Sequence, residues 1–90
     1  MSKLRVFITA EDSGDCEYGC WNMGYGVEVT KDGELIYEQA AWATCCSNSY
    51  IDWQALFEVI REEQNKGDVT LDLGKDPEEE YPQWFLEALM

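Results

Sequence analysis

Four cysteines are the residues of this chain most often associated with metal or redox chemistry. Cys16 and Cys20 lie in a stretch rich in Gly, Ser and Asp, and Cys45 and Cys46 stand side by side before a predicted helix. In an antiparallel meander the first and third strands run in the same direction and finish at the same end of the sheet. Both cysteine pairs are therefore expected at one end of the domain. Four thiolates arranged as a tetrahedron would form a closed structural zinc site.

Zinc, disulfides and reduced thiols all stay open for these cysteines. A Cys-x3-Cys pair combined with adjacent cysteines is not a common zinc spacing, and adjacent residues of an extended strand point to opposite faces. A cytoplasmic location disfavours disulfides. Reduced cysteines packed as small hydrophobic residues are the favoured interpretation, so no cofactor is predicted and zinc is the alternative. A nucleophilic cysteine is not expected, because the chain has no His and the stretch around Cys16 and Cys20 is acidic.

Carboxylates are the second group of chemically active residues. Nineteen Asp and Glu against six Lys and Arg give a formal net charge of −13. Such a field repels phosphate backbones and anionic membranes and accelerates encounters with basic partners. A basic, nucleic-acid-binding protein is therefore the expected partner, without direct binding to nucleic acid or membranes. The predicted partner-binding residues form two acidic stretches and one aromatic anchor: Glu11, Asp12, Asp15, Glu17, Trp21, Glu78, Glu79 and Glu80.

The hydrophobic pattern predicts a single α+β domain of 90 residues in the order β-β-β-α-β-α. Residues 3–9 alternate but carry apolar groups on both faces, which predicts a central strand. Residues 24–30 and 35–44 alternate as the second and third strands of an antiparallel meander, and an Asp-Gly dipeptide between them is a strong hairpin signal. Residues 10–22, rich in Gly, Ser and Asp, predict a long exposed acidic loop.

A helix is predicted after the third strand, because apolar residues recur at the spacing of one buried stripe: Trp53, Leu56, Phe57 and Ile60. Ser49 and Asp52, three residues apart, predict a capping box at its start, and Gly67 predicts a left-handed cap at its end. Residues 69–73 form a short strand that the crossover helix makes parallel to a meander strand. Pro82 suits the first turn of a short final helix.

Three segments carry a resemblance to a known family: Phe7-Ile8-Thr9-Ala10, Gly24-Tyr25-Gly26-Val27 and Ser47-Asn48-Ser49-Tyr50-Ile51-Asp52. In this order they resemble the end of the first strand, the Gly-rich second strand and the start of the first helix of the ribonuclease H family. The resemblance covers the N-terminal three quarters of the chain and implies a degenerate, truncated form of that family's fold. The family's later strand and helix have no counterpart among the segments that carry the resemblance.

The resemblance does not extend to the family's metal-binding carboxylates. Ala10 takes the position of the first-strand carboxylate that bridges both metal ions, and Asp52 takes that of the helix carboxylate. The fourth-strand position falls near Gly74, with Asp72 and Asp76 as the nearest acids. Two-metal hydrolysis needs carboxylates that converge on both ions, so loss of the bridging ligand predicts that catalysis is lost. No catalytic residue is assigned, since helix capping is a sufficient role for Asp52.

These observations favour a non-catalytic, acidic protein-binding domain. Its expected role is that of a phage or mobile-element inhibitor, of the anti-CRISPR or anti-defence type, that mimics DNA on a basic surface of its target. The alternatives are a ribonuclease H-like metal-dependent nuclease or its inactive remnant, and a small zinc-stabilised adaptor. The N-terminus shows no secretory signal and no apolar run approaches the ~20 residues of a membrane span, so a cytoplasmic protein is expected, in the host cell if phage-encoded.

Overall fold

A four-stranded sheet with helices packed on one face forms the fold in the computed structural model, which describes residues 2–14, 18–74 and 77–89. The α+β class and the predicted order of elements are confirmed, with one short additional helix before the last. The elements are β1 Ser2–Asp12, β2 Met23–Lys31, β3 Glu34–Gln39, α1 Trp53–Lys66, β4 Val69–Asp72, α2 Pro77–Glu80 and α3 Gln83–Leu89. Within the described ranges, no helix combines the length and hydropathy that crossing a membrane requires.

The strands lie in the order β3-β2-β1-β4. β1 pairs antiparallel with β2 and parallel with β4, which confirms that residues 3–9 belong to a central strand. Parallel pairing requires the chain to cross from one end of the sheet to the other, and α1 makes that crossing. The order of the strands thus follows from one hairpin meander and one crossover helix.

The core lies between the helices and one face of the sheet. Alternate residues of β1 and β2 point toward α1 and α3. The most deeply buried apolar side chains are Leu4, Val6, Val27, Val29, Leu56, Ile60, Tyr81 and Phe85. The other face of β1 carries Lys3, Arg5 and Phe7, all exposed, and Arg5 lies 5.1 Å from the centre of the Phe7 ring.

An aromatic cluster attaches the C-terminal helices to α1. The ring of Phe85 lies 5.5 Å from Trp53 in an edge-on contact and stacks on Tyr81 at 5.6 Å. The hydroxyl of Tyr81 is buried without a hydrogen-bond partner among the described residues, and this burial raises its pKa. Because Tyr81 directly follows α2 and its ring packs on those of Trp53 in α1 and Phe85 in α3, the aromatic cluster determines where the acidic helix α2 lies.

Both predicted caps of α1 differ from the structure. Asp52 alone is the N-cap, and its side chain accepts a hydrogen bond from the Ala55 amide at 3.1 Å. Ser49 is buried three residues before the cap and its hydroxyl bonds to the backbone of Tyr25 and Trp42, so it is not part of a capping box. Gly67 has a φ of 168°, an extended conformation, whereas the predicted left-handed cap requires a positive φ near 60°.

Residues 10–22 are not the simple loop that the prediction describes. β1 and β2 stay paired as far as Asp12 and Met23, because continued pairing satisfies backbone groups that a loop would leave to water. We call residues 9–14 and 18–25 the arm. The molecule measures 51 × 26 × 21 Å with a radius of gyration of 15.0 Å, against the ~12 Å typical of a domain of this size. The long antiparallel pair gives the protein this elongated shape.

The third strand is shorter than predicted. β3 ends at Gln39, and residues 40–49 turn back as a small hairpin of their own, with a bridge between Ala43 and Asn48. This crossing segment passes directly over β2. A Cβ at Gly24 would overlap the backbone of Trp42, so the absence of a side chain there lets the two chains approach.

Glu63 is a carboxylate on the buried side of α1, 8% exposed, that binds two lysines. Its two oxygens accept hydrogen bonds of 2.9 Å from Lys66 and Lys31. These two bonds, that of Lys66 foremost, hold the pKa of Glu63 below its ordinary value. Because Lys31 lies at the end of β2, the carboxylate joins the C-terminal turn of α1 to the sheet.

We expect Glu63→Gln to lower the free energy of unfolding by about 1 kcal/mol at neutral pH. A carboxylate with a depressed folded pKa stabilises the fold above the ordinary glutamate pKa, and this contribution disappears as the pH falls through the folded value. The difference between wild type and variant should therefore shrink between about pH 7 and about pH 3, measured by urea denaturation. Glu58→Gln, at an exposed position of the same helix, is the control. A difference for Glu63→Gln that stays constant with pH would contradict this role.

Candidate partner-binding site

The lysines and arginines that the structure describes lie toward one end of the molecule, whereas Lys75 falls outside the described residues. The chain has no Lys or Arg between Arg5 and Lys31, or between Lys31 and Arg61. Lys31 lies opposite Leu4, so the start of β1 and the end of β2 are at the same end of the sheet. Val69, three residues after the end of α1, pairs with Ser2, so the C-terminus of α1 is at this end as well. The described residues of the arm and the crossing segment, at the opposite end, include the carboxylates of Glu11 and Asp12 and no lysine or arginine.

Four of the five described cations, all except Arg61, are paired with carboxylates. Asp72 lies 3.6 Å from Arg5 and 3.7 Å from Lys3, and Glu63 binds Lys31 and Lys66. Among the described residues, no ion pair involves the predicted partner-binding acids Glu11, Asp12, Glu79 and Glu80. The negative charge of the chain is therefore neutralised locally at one end and left available at the other.

The arm presents two of the predicted carboxylates beside an exposed indole. Glu11 and Asp12 are both exposed, and Asp12 also accepts a hydrogen bond from the Gly14 amide at 3.1 Å. Trp21 is 57% exposed, as a surface anchor must be. Asp15 and Glu17, predicted for the same surface, lie outside the described residues, as does the side chain of Glu78.

The crossing segment adds aromatic residues that were not predicted from the sequence. Trp42 is 48% exposed, and Tyr50, which directly follows the segment, is 79% exposed. The segment is tied to the arm by a hydrogen bond of 3.2 Å between the side chains of Asn22 and Asn48. The Gly-x-Gly pattern of the second strand was the available signal, because glycine in a strand often marks the close approach of another segment.

Ser49 fastens the crossing segment to β2. Its hydroxyl lies 2.9 Å from the Tyr25 carbonyl and 2.9 Å from the Trp42 amide, and the Tyr25 amide donates to the Ser49 carbonyl at 3.1 Å. Each of these groups is part of the backbone or of a buried side chain. Ser49 therefore fixes how Trp42 and the arm are placed relative to one another.

A cleft of about 380 Å³ opens at the root of the arm. Its apolar walls are formed by Ile8, Tyr25, Ile51 and Trp53, and the other described residues that line it are Glu79 and Glu80 of α2. Glu79 and Glu80, from the second predicted acidic stretch, thus lie near the base of the arm, because the aromatic cluster holds α2 there. We refer to this feature as the root cleft.

A second acidic surface lies on the uncovered face of the sheet. Glu11, Glu28 and Glu38 line one cavity of about 250 Å³ together with Thr9. Glu28 and Glu38 are directly opposite one another in neighbouring strands, an arrangement of like charges that destabilises a sheet. Sequence patterns did not single out these two acids, because each appears alone on the polar side of an alternating strand.

The positions matched to the ribonuclease H carboxylates have other partners. Ala10 lies opposite Tyr25, and Asp52 caps α1. Asp72 accepts a hydrogen bond from the Gly74 amide at 3.0 Å, and this bond, together with Lys3 and Arg5, lowers its pKa. Asp76 lies outside the described residues.

The cysteines differ from their predicted packing. Cys20, Cys45 and Cys46 are exposed, whereas buried cysteines were expected. The sulfurs of Cys45 and Cys46 lie 3.4 Å apart, because the two residues occupy a turn and not an extended strand. Cys16 falls outside the described part of the chain, in which no group of three or more potential ligands is arranged to hold a metal ion.

The chemistry available at this end of the molecule is the binding of cationic and amphipathic surfaces. Exposed carboxylates attract ammonium and guanidinium groups, and partly exposed Trp and Tyr side chains provide large contact areas at little entropic cost. The root cleft adds a concave, apolar pocket beside two carboxylates. Comparisons with protein-family models, with curated proteins and with solved structures found no match to this chain.

Proposed function

We propose that this chain is a non-catalytic protein-binding domain whose arm and crossing segment occupy a basic surface of a target protein. The observation that carries the proposal is the separation of charge along the molecule. Four described cations at one end are paired with Asp72 and Glu63, while Glu11 and Asp12 at the other have no ion-pair partner among the described residues. Such carboxylates can pair with a partner without first breaking an internal ion pair.

Exposed aromatic residues provide the apolar contact area from which a protein interface obtains most of its affinity. Trp21 and Trp42 are both about half exposed at the same end as the arm carboxylates. Interfaces obtain most of their affinity from a few large aromatic anchors, whereas surrounding charges mainly increase the association rate and select the partner. The combination supports specific binding to a protein, with charge guiding the encounter.

The chemical class of the partner follows from the sign of the charge. A protein surface that is basic enough to attract a chain of charge −13 is most often one that binds nucleic acid. Carboxylates on such a surface take the place of phosphates and exclude the nucleic acid. The proposed role is therefore that of a DNA-mimicking inhibitor, of the kind by which phages and mobile elements block host defence nucleases.

The expected result for the complex is a strong dependence on salt. Affinity capture from a lysate of the native host, followed by mass spectrometry, identifies the partner, and its dissociation constant is then measured at about 50 mM and about 300 mM NaCl. We expect the affinity to fall at least ~10-fold over this range and a short DNA duplex to compete for the partner. Affinity that is independent of salt, or a partner indifferent to DNA, would disprove the proposal.

A matched pair of variants separates the arm from net charge. Glu11→Gln with Asp12→Asn removes two charges from the arm, and Glu34→Gln with Glu58→Gln removes two exposed charges elsewhere. The arm variant should lose at least ~5-fold more affinity for the partner than the control, since charges in contact act at short range. Equal losses would contradict a binding site on the arm.

A further inference from the structure

We infer that the root cleft receives one arginine side chain of the basic partner. The inference rests on the proposed function, because it identifies a contact within that same binding site. The cleft volume of about 380 Å³ is large enough for a single long side chain.

The walls of the cleft suit the hydrocarbon part of an arginine. Ile8 lies toward the end of β1, and Ile51 directly precedes the N-cap of α1. Both line the cleft with apolar surface. Arginine buries its three methylene groups along such surfaces while its charged head stays near polar groups. The aliphatic walls therefore account for the stem of the side chain.

Two aromatic residues suit the guanidinium plane. Tyr25 and Trp53 both line the cleft, and Trp53 is held in place by edge-on contacts with Tyr81 at 5.3 Å and Phe85 at 5.5 Å. A planar guanidinium stacks on aromatic rings, and a ring that is already immobilised loses little freedom when it does so. The aromatic cluster that attaches α3 thus also prepares a wall of the binding pocket.

Two carboxylates suit the charge. Glu79 and Glu80 line the same cleft, and neither is in an ion pair with another described residue. No lysine or arginine is among the described lining residues. The five N–H donors of a guanidinium form a fork that two carboxylate oxygens match, which makes arginine–carboxylate contacts shorter and stronger than neutral ones. The acidic side of the cleft therefore selects a cation.

Charge complementarity also decides between the possible occupants. An apolar side chain would leave two carboxylates facing hydrocarbon, at a desolvation cost that nothing repays. A second copy of this chain would bring another formal charge of −13. Lysine can meet one carboxylate but has no plane to stack on Tyr25 or Trp53. Arginine is the side chain that uses all three features of the pocket.

The experiment uses the whole chain and three peptides of the form acetyl-Gly-Gly-X-Gly-Gly-amide, in which X is arginine, lysine or citrulline. Citrulline has nearly the shape of arginine but no charge. Binding is followed by NMR, through the indole N–H of Trp53 and the methyl groups of Ile8 and Ile51. We expect saturable shifts at these three residues with the arginine peptide, at least ~3-fold weaker binding of lysine, and no saturation with citrulline.

Variants then test the two carboxylates. Glu79→Gln with Glu80→Gln should weaken binding of the arginine peptide at least ~5-fold, whereas Glu34→Gln with Glu58→Gln, which changes net charge equally, should weaken it less than ~2-fold. Both pairs alter exposed side chains, and unchanged amide spectra verify the fold. Equal shifts with citrulline, equal binding of lysine, or equal effects of the two variant pairs would each overturn the assignment.

The two proposals fail in different ways. If the arginine peptide leaves Trp53, Ile8 and Ile51 unchanged while the partner still binds with strong salt dependence through the arm, the root cleft is not an arginine pocket and the proposed function stands. If binding of the partner is independent of salt, the proposed function fails whatever the peptides do. Association of two copies on addition of salt would overturn the choice of occupant.

Discussion

Replacing Gly26 with alanine is expected to lower the free energy of unfolding by about 3 kcal/mol, since overpacking against backbone cannot relax by a change of rotamer. A Cβ at this position would overlap the carbonyl oxygen of Gln39 and lie 2.6 Å from the backbone nitrogen of Ala41. Both atoms belong to the main chain where β3 passes into the crossing segment. The segment would have to move away from β2, which would disturb the hydrogen bonds of Ser49.

Urea denaturation of wild type and variant measures this loss. The matched control is Gly67→Ala, because Gly67 has an extended backbone and open space around the added methyl group. We expect the control to change stability by less than ~0.5 kcal/mol. If Gly26→Ala were as stable as Gly67→Ala, the crossing segment would not lie over β2 as described, and Trp42 would not belong to the same surface as the arm.

Replacing Phe85 with alanine is expected to cost about 3–5 kcal/mol, the range for removing a fully buried aromatic ring from a core. Phe85 is 0% exposed and its ring contacts those of Trp53, Phe57 and Tyr81. Its loss leaves a cavity between α1 and α3 and removes the main contact that holds the C-terminal helices. Because α2 carries Glu79 and Glu80, the variant should also lose the acidic side of the root cleft.

Two measurements test this prediction. Urea denaturation gives the change in stability, and near-UV circular dichroism reports whether the Trp53 and Tyr81 rings remain fixed. Trp84→Ala is the control, because Trp84 is the neighbouring aromatic residue but is 47% exposed. Its loss should cost about 2 kcal/mol, because only about half of the indole is buried. Similar costs for the two variants would show that α3 is not anchored through Phe85.

Features that depend on neighbouring residues were predictable from the sequence. The Asp-Gly hairpin is an example: Asp32 and Gly33 have φ values of 52° and 89°, and a tight turn with two positive φ angles favours this dipeptide. The stripe of α1 is another, since Leu56 and Ile60 are fully buried. Such signals lie within a few residues of one another, so the chain needs no distant contact to express them.

Features that depend on distant pairs were not predictable in this way. Polar and small residues from 10 to 22 resemble a loop in isolation, and only the matching register of β1 with β2 makes an arm of them. Ser49 has the sequence context of a helix cap, yet its hydroxyl bonds to Tyr25, 24 residues away. A hydroxyl or a carboxylate can form its hydrogen bonds with neighbouring residues or with residues far away in the sequence. The folded structure is the one that leaves the fewest buried polar groups without a hydrogen bond.

The acidity of the chain, its α+β class and the order of its elements follow from the sequence. Composition determines the net charge, and short-range hydrophobic periodicity determines which segments form strands and helices. The location of the acidity does not. Arg5, Lys31 and Lys66 are far apart in the sequence, and the paired strands and the crossover helix bring them to one end with Asp72 and Glu63. The tertiary structure thereby leaves the arm and the root cleft with negative charge and exposed aromatic rings.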